Sequence, residues 1–186
     1  CRRMVRIADD DPEPSDEERM ARTSDQATSG WEQTLEDMEA LVEARADEGY
    51  ETVTVVAGHT APVDPSSGDT EEWGLSYVVP GNTVEDVMAL YERATFEETG
   101  VYQASTGPYQ FLVTECLDHD ANLALYIAGS FEIRFAGTLV RTALEEGRMY
   151  SHLQRIDGTP LATIEHDDPE AFFPDPQKYY AYEPDY

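Results

Sequence analysis

Apolar residues recur along this chain at two spacings, one of three to four residues and one of two, and glycine or proline separates the runs. From Ser29 the spacing is helical. Trp31, Leu35, Met38, Leu41 and Val42 return every three or four positions, and Gly49 closes the run. Ser29 and Glu32 have capping-box spacing, so the first helix is predicted to open at Ser29. Period two follows over residues 51–57, where Val53, Val55 and Ala57 share a face. An acidic loop is expected over residues 58–72, then a strand over residues 73–79 that stops at Pro80-Gly81.

Asn82 and Glu85 repeat the capping-box spacing, and Val84, Val87, Met88 and Tyr91 make a second helical stripe that Gly100 is expected to end. Strands are predicted over residues 101–105, 109–117 and 123–135. The last alternates through Leu123, Leu125, Ile127, Gly129, Phe131, Ile133 and Phe135, with a bend or break expected at Gly129. A third helix over residues 137–146 carries Leu139, Val140, Ala143 and Leu144, and Gly147 stops it. A hairpin closes the pattern, with strands over residues 148–156 and 159–166 around a two-residue Asp157-Gly158 turn.

Each predicted helix thus ends on a glycine (Gly49, Gly100, Gly147) and runs into a strand bearing Tyr50, Tyr102 or Tyr150. The units share no sequence, so the regularity is at most topological. Hairpin-length links favour an α+β fold, a largely antiparallel sheet with about three helices packed on one face. Residues 1–28 are acidic, lack apolar periodicity and read as a disordered N-terminal segment. Residues 29–166 form a single domain. Residues 167–186 are a tail rich in Pro and Tyr whose aromatic side chains pack on the domain or on a partner.

Charge changes the picture more than composition does. Against 39 Asp and Glu the chain has 12 Lys and Arg, of which Lys178 is the one lysine, for a net charge of -27. At low salt such a charge opposes compactness, and at about 1 M salt, with a Debye length of roughly 3 Å, the repulsion is screened. The expectation is a halophilic protein of a high-salt cytosol. With 40% hydrophobic residues and 11 Tyr, wholesale disorder does not fit. Nucleic acid is excluded as a partner, because Arg2, Arg3 and Arg6 make the only basic cluster and acid follows from Asp9. Anionic membrane surfaces are repelled for the same reason, and no run is long and apolar enough to span a bilayer. No signal-peptide core follows the N-terminal arginines, and Met4 is the expected start. Cys1 and Cys116 are not expected to pair.

Candidate chemistry is sparse. With the predicted turn, His152 lies opposite Thr163 and Glu165 is its diagonal neighbour, so Tyr150, His152, Gln154, Thr163 and Glu165 form one polar patch. An imidazole oriented by a carboxylate is a general base. Such alternation also describes a plain solvated face. Cys116 and His119, in Cys-x-x-His spacing, supply half a metal site at a strand end, where a polar turn is the simpler reading. The chain has no nucleophile elbow, dinucleotide fingerprint or HExxH motif, so no cofactor is named.

Three segments, Trp31-Glu32-Gln33-Thr34-Leu35-Glu36-Asp37-Met38, Trp73-Gly74-Leu75-Ser76-Tyr77-Val78-Val79-Pro80-Gly81 and Glu145-Glu146-Gly147-Arg148-Met149-Tyr150-Ser151-His152, resemble an uncharacterised protein family of halophilic archaea. The resemblance spans about Trp31 to Phe173 and implies origin and compartment, with no activity or site attached. The expected function is a non-enzymatic module that binds a protein or small ligand, with a protein partner or a second copy of the chain. The alternative is a small hydrolase or isomerase using His152, Glu165 and Tyr150, with or without a metal at Cys116 and His119.

Overall fold

A computed structural model describes residues 15–64 and 73–181. Expectations for residues 1–14, 65–72 and 182–186 lie outside the described residues. The fold is α+β, as the hydrophobic pattern predicts, but its strands form two four-stranded sheets instead of one.

The first helix, α1 (Asp16–Asp47), opens well before Ser29. Its cap is Ser15, whose hydroxyl accepts from the Glu18 N–H at 3.2 Å while the Glu18 carboxylate accepts from the Ser15 N–H at 3.1 Å. Up to Ser29 the helix is almost wholly exposed, so it carries no apolar stripe for periodicity to detect. Glu, Arg, Met and Ala sustain it through propensity and capping.

The first sheet is ordered β1 (Glu51–Val56), β6 (Leu123–Glu132), β5 (Tyr109–Asp118) and β4 (Glu98–Thr106). Strands β4, β5 and β6 make an antiparallel meander, and β1 joins β6 in parallel. The second sheet is ordered β2 (Thr60–Val63), β3 (Gly74–Val78), β7 (Met149–Gln154) and β8 (Pro160–His166). Two hairpins, β2–β3 and β7–β8, meet in parallel at β3 and β7. Strand β2 falls where the sequence predicts a loop. Its four residues include Pro62 and are too few for alternation to register.

The main core lies between the sheets. Leu112, Leu125, Ile127 and Val55 meet Leu75, Tyr77, Leu153 and Ile164. Helix α2 (Val84–Arg93) adds Val84, Val87 and Leu90, and α3 (Gly137–Glu146) adds Leu139, Val140 and Ala143. The far face of the first sheet carries Val113, Leu117, Ala124, Tyr126 and Ala128 under Met38 of α1. The helices therefore do not share one face, because β5 and β6 are buried on both sides. Large residues alternating with Ala124, Tyr126 and Ala128 read in one dimension as a single apolar face.

Three local expectations are revised. Helix α2 ends at Arg93 and Gly100 lies inside β4, so the glycine-ended repeat fails at its second unit. The Asn82–Glu85 capping box does not form, since Thr83 is the N-cap and makes no side-chain cap bond. Strand β6 runs unbroken through Gly129, where a Cβ would lie 2.6 Å from Thr60 Oγ1 and 2.7 Å from the Tyr77 ring. Gly129 serves close approach of the sheets.

The tail folds back. Short helices α4 (Pro169–Phe172) and α5 (Gln177–Tyr180) bury Phe172, Phe173 and Tyr179 in the intersheet core. Gln103 donates to the carbonyls of Ala171 and Phe172 at 2.7 Å, Gln110 donates to Gln103, and Lys178 donates to Gln110 at 2.7 Å. The packed body extends to Tyr180, beyond the expected boundary at 166.

Candidate functional site

The predicted polar patch exists as a register. His152 pairs with Thr163 and Tyr150 with Glu165 across β7 and β8. This register follows from two offsetting departures. The turn is one residue longer than expected, with Arg155 N–H bonded to the Thr159 carbonyl and Gly158 at φ 92°. An irregularity at Leu153/Gln154 then shifts β8 back by one.

Side-chain contacts divide the patch. His152 Nε2 lies 2.8 Å from the Trp73 carbonyl, an acceptor only, so this nitrogen carries the proton. In the neutral ring Nδ1 then accepts from the Thr163 hydroxyl at 3.1 Å. Tyr150 stacks on the His152 ring at 6.0 Å and meets Trp73 edge-on at 5.0 Å. Both imidazole nitrogens are thereby engaged without Glu165. His152 borders a hollow of about 310 Å³, and Glu165 borders a separate one of about 540 Å³, with Thr163 common to both.

Cys116 and His119 are placed apart. Cys116 is fully buried between the sheets, and desolvation pushes its thiol pKa up to about 12. His119 stands beyond the end of β5. Its Nε2 donates to Glu98 at 2.5 Å, and its Nδ1 lies 2.8 Å from the Tyr50 hydroxyl, from which it accepts in the neutral ring. Among the described residues no group of three or more His, Cys, Asp and Glu is arranged to hold a metal ion.

Two polar groupings escaped sequence reasoning because they join distant strands. His166, buried between the sheets, lies 2.8 Å from both Ser151 Oγ and Thr99 Oγ1, and burial pulls its pKa down to about 4. One hydroxyl donates to the neutral ring and the other accepts from it. On the far side of the first sheet, buried Glu115 accepts from the Tyr126 hydroxyl at 2.5 Å and from Arg45 at 3.4 Å. Gly100 faces this carboxylate, and a Cβ there would sit 3.4 Å from Glu115 Oε1. Both groupings are enclosed and satisfied, which suits structural roles.

A hollow of about 660 Å³ lies between α1 and β4. Helix α1 contacts every strand of the first sheet, and the hollow opens where it meets the edge strand β4. Helix α1 packs over β5 at Gly30, where a Cβ would be 2.6 Å from the Phe111 ring. The hollow opens beside the helix, towards β4, over a floor that is itself buried. Phe111 and Val113 form its bottom, Tyr102 and Ala104 one wall, and Thr34, Asp37, Ala40, Leu41 and Ala44 of α1 the other. Tyr102 is 45% exposed. Among the described residues Asp37 is the one carboxylate in the lining, and it accepts from Gln33 at 3.0 Å. A mostly apolar concavity of this size with few polar groups has the form of a ligand site. Helical spacing on α1 alone shows the core stripe, and the groove arises only where helix and sheet edge meet.

No curated protein and no solved structure matches the chain. A family model does match residues 17–174, most of the chain. The chain therefore belongs to a family of unknown function (DUF7529).

Proposed function

We propose that the protein is a non-enzymatic binding module of a salt-rich, halophilic archaeal cytosol, and that its site is the groove between α1 and β4. The observation that supports the reading is the mostly apolar hollow of about 660 Å³ between α1 and β4. A concave, mostly apolar lining with few polar groups has the form of a ligand site. The charge of -27 supports the compartment, since concentrated salt screens it. The hydrolase or isomerase alternative has less support, because His152 is already bonded to Trp73 and Thr163 and Glu165 borders a different hollow.

A neutral solvatochromic dye, Nile red, tests the site. The protein in concentrated KCl is expected to bind it with a rise in emission. Ala44→Trp, at an exposed position in the groove wall, removes most of that rise while circular dichroism stays unchanged. His152→Ala leaves it intact. Dye binding that ignores Ala44→Trp, or that is lost in His152→Ala, would discard the groove as the site.

A further inference from the structure

Outside the groove, where β4 begins and β5 ends, Tyr50, His119 and Glu98 stand in one hydrogen-bonded line. The Tyr50 hydroxyl lies 2.8 Å from His119 Nδ1, and His119 Nε2 lies 2.5 Å from a Glu98 carboxylate oxygen. A carboxylate only accepts, so Nε2 carries the proton, and in the neutral ring Nδ1 accepts from the phenol. A hydroxyl bonded to an imidazole that a carboxylate orients is the arrangement that activates a nucleophile, and tyrosine is among the side chains that form covalent intermediates. We infer that Tyr50 is a nucleophilic site for an electrophilic carbonyl, an activated ester, with His119 as its base and Glu98 positioning the imidazole. The site is independent of the groove.

The fold holds this line in place and leaves it open. Gly49, at φ 97°, turns the chain out of α1, and the Glu51 amide bonds to the Asn122 carbonyl at 2.8 Å, which sets Tyr50 beside the turn after β5. Asp118 braces that turn by accepting from the Thr95 and Ala121 amides at 2.7 and 3.0 Å. The Tyr50 ring meets the His119 ring edge-on at 6.1 Å and packs against the core beneath α1. The His119 and Glu98 side chains are 40% and 61% exposed, so a small reagent reaches them.

The chemistry of the line selects acyl transfer. Phosphoryl transfer relies on cations clamping the phosphate. Arg45, 5.3 Å from the centre of the Tyr50 ring, is already bonded to Glu48 and Glu115. An acyl carbon needs the nucleophile and the base, and both are here. Tyr50 Oη bonds to the carbonyl carbon while its proton passes to His119 Nδ1. The bond from that carbon to the leaving oxygen breaks, the leaving group departs with the electron pair, and the imidazolium gives it the proton. The product is an ester on Tyr50. Besides Glu98, Glu97 and Asp118 lie within electrostatic reach of His119, with Asp120 beside Glu97, and all favour the imidazolium.

The neutral ester p-nitrophenyl acetate tests the inference on the whole protein in concentrated KCl, with the acetylated residues mapped by mass spectrometry. Tyr50 is expected to be acetylated at least about tenfold faster than Tyr102. Exposure alone predicts the reverse, since Tyr102 is 45% exposed and Tyr50 is half-buried. This comparison needs no variant. Tyr50→Phe, which keeps the ring, removes the early burst of p-nitrophenol. His119→Gln slows Tyr50 to the rate of Tyr102. The base is the neutral imidazole, so the native rate falls as pH is lowered. Glu98→Gln withdraws a charge that favours the imidazolium and moves this fall to lower pH.

Acetylation of Tyr102 as fast as Tyr50 would overturn the inference. So would a burst that Tyr50→Phe leaves intact and His119→Gln abolishes, which makes the imidazole itself the nucleophile. A pH profile that Glu98→Gln does not move removes Glu98 from its role. Nile red binding is unaffected by any of these results, so the groove stands or falls separately.

Discussion

His166 lies between Thr99 and Ser151 with the Phe172 ring 4.8 Å away, and burial holds it neutral with a pKa of about 4 against 6.5 for the free residue. Between pH 6.5 and 4 the unfolded chain binds a proton at this position and the folded chain does not, so stability falls as pH falls through that window. The full effect is on the order of 3 kcal/mol. Asp118 titrates lower, because bonds from the Thr95 and Ala121 amides hold its pKa down, so its loss comes at more acidic pH. In about 1 M KCl, where carboxylate repulsion is screened, denaturant midpoints measured at pH 7, 6, 5 and 4 should decline in the native protein. His166→Gln should be less stable at pH 7 and flatter across the same range. An equal slope in both proteins would show that another group controls it.

The C-terminal element differs most from its reading in the sequence. Four prolines forbid a long helix there, yet Phe172, Phe173 and Tyr179 enter the core and Lys178 reaches Gln110. Deleting the chain after Asp168 would remove these aromatics from the core and take away the Phe172 ring packed on His166. Burying a large apolar side chain contributes about 1.5–3 kcal/mol, so the loss should be at least about 3 kcal/mol. In a chain of this size that lowers Tm by on the order of 10 °C. A truncated protein that melts like the full chain would show the tail to be an appendage. At the same scale, α1 is two helices in effect. Its second half is held by Trp31, Leu35, Met38, Leu41 and Val42 against the first sheet, while its first half rests on the Ser15 cap and its own propensity.

At the scale of the whole molecule, net charge outweighs any single polar contact. The described ion pairs, such as Arg93–Glu51 at 2.8 Å and Arg148–Glu146 at 3.5 Å, are mostly exposed and contribute little individually. With 39 carboxylates and 12 cationic residues, the acids far outnumber the cations that could offset them. Their mutual repulsion acts over about 30 Å at 0.01 M salt and about 3 Å at 1 M. Tm should therefore rise steeply as KCl goes from millimolar to molar. A Tm indifferent to KCl would remove the main support for a high-salt habitat.

Helix α3 with its Gly147 stop, the apolar stripe of α2 and most strand positions were legible in the sequence, because each rests on local periodicity or a glycine stop. The register of β7 against β8 agrees only because a longer turn and the irregularity at Leu153/Gln154 cancel. The charge of -27 was legible as well, since it needs no coordinates. Tertiary structure alone decided that the strands divide into two sheets, because a strand buried on both faces and a strand buried on one can share an alternating pattern. It alone placed Cys116 inside and His119 outside, although only two residues separate them, because successive side chains of a strand point to opposite faces and the turn after it leaves the core. The groove beside α1 belongs to the same class. It lies between α1 and the edge strand β4, which are distant in sequence, and no window along the chain contains both.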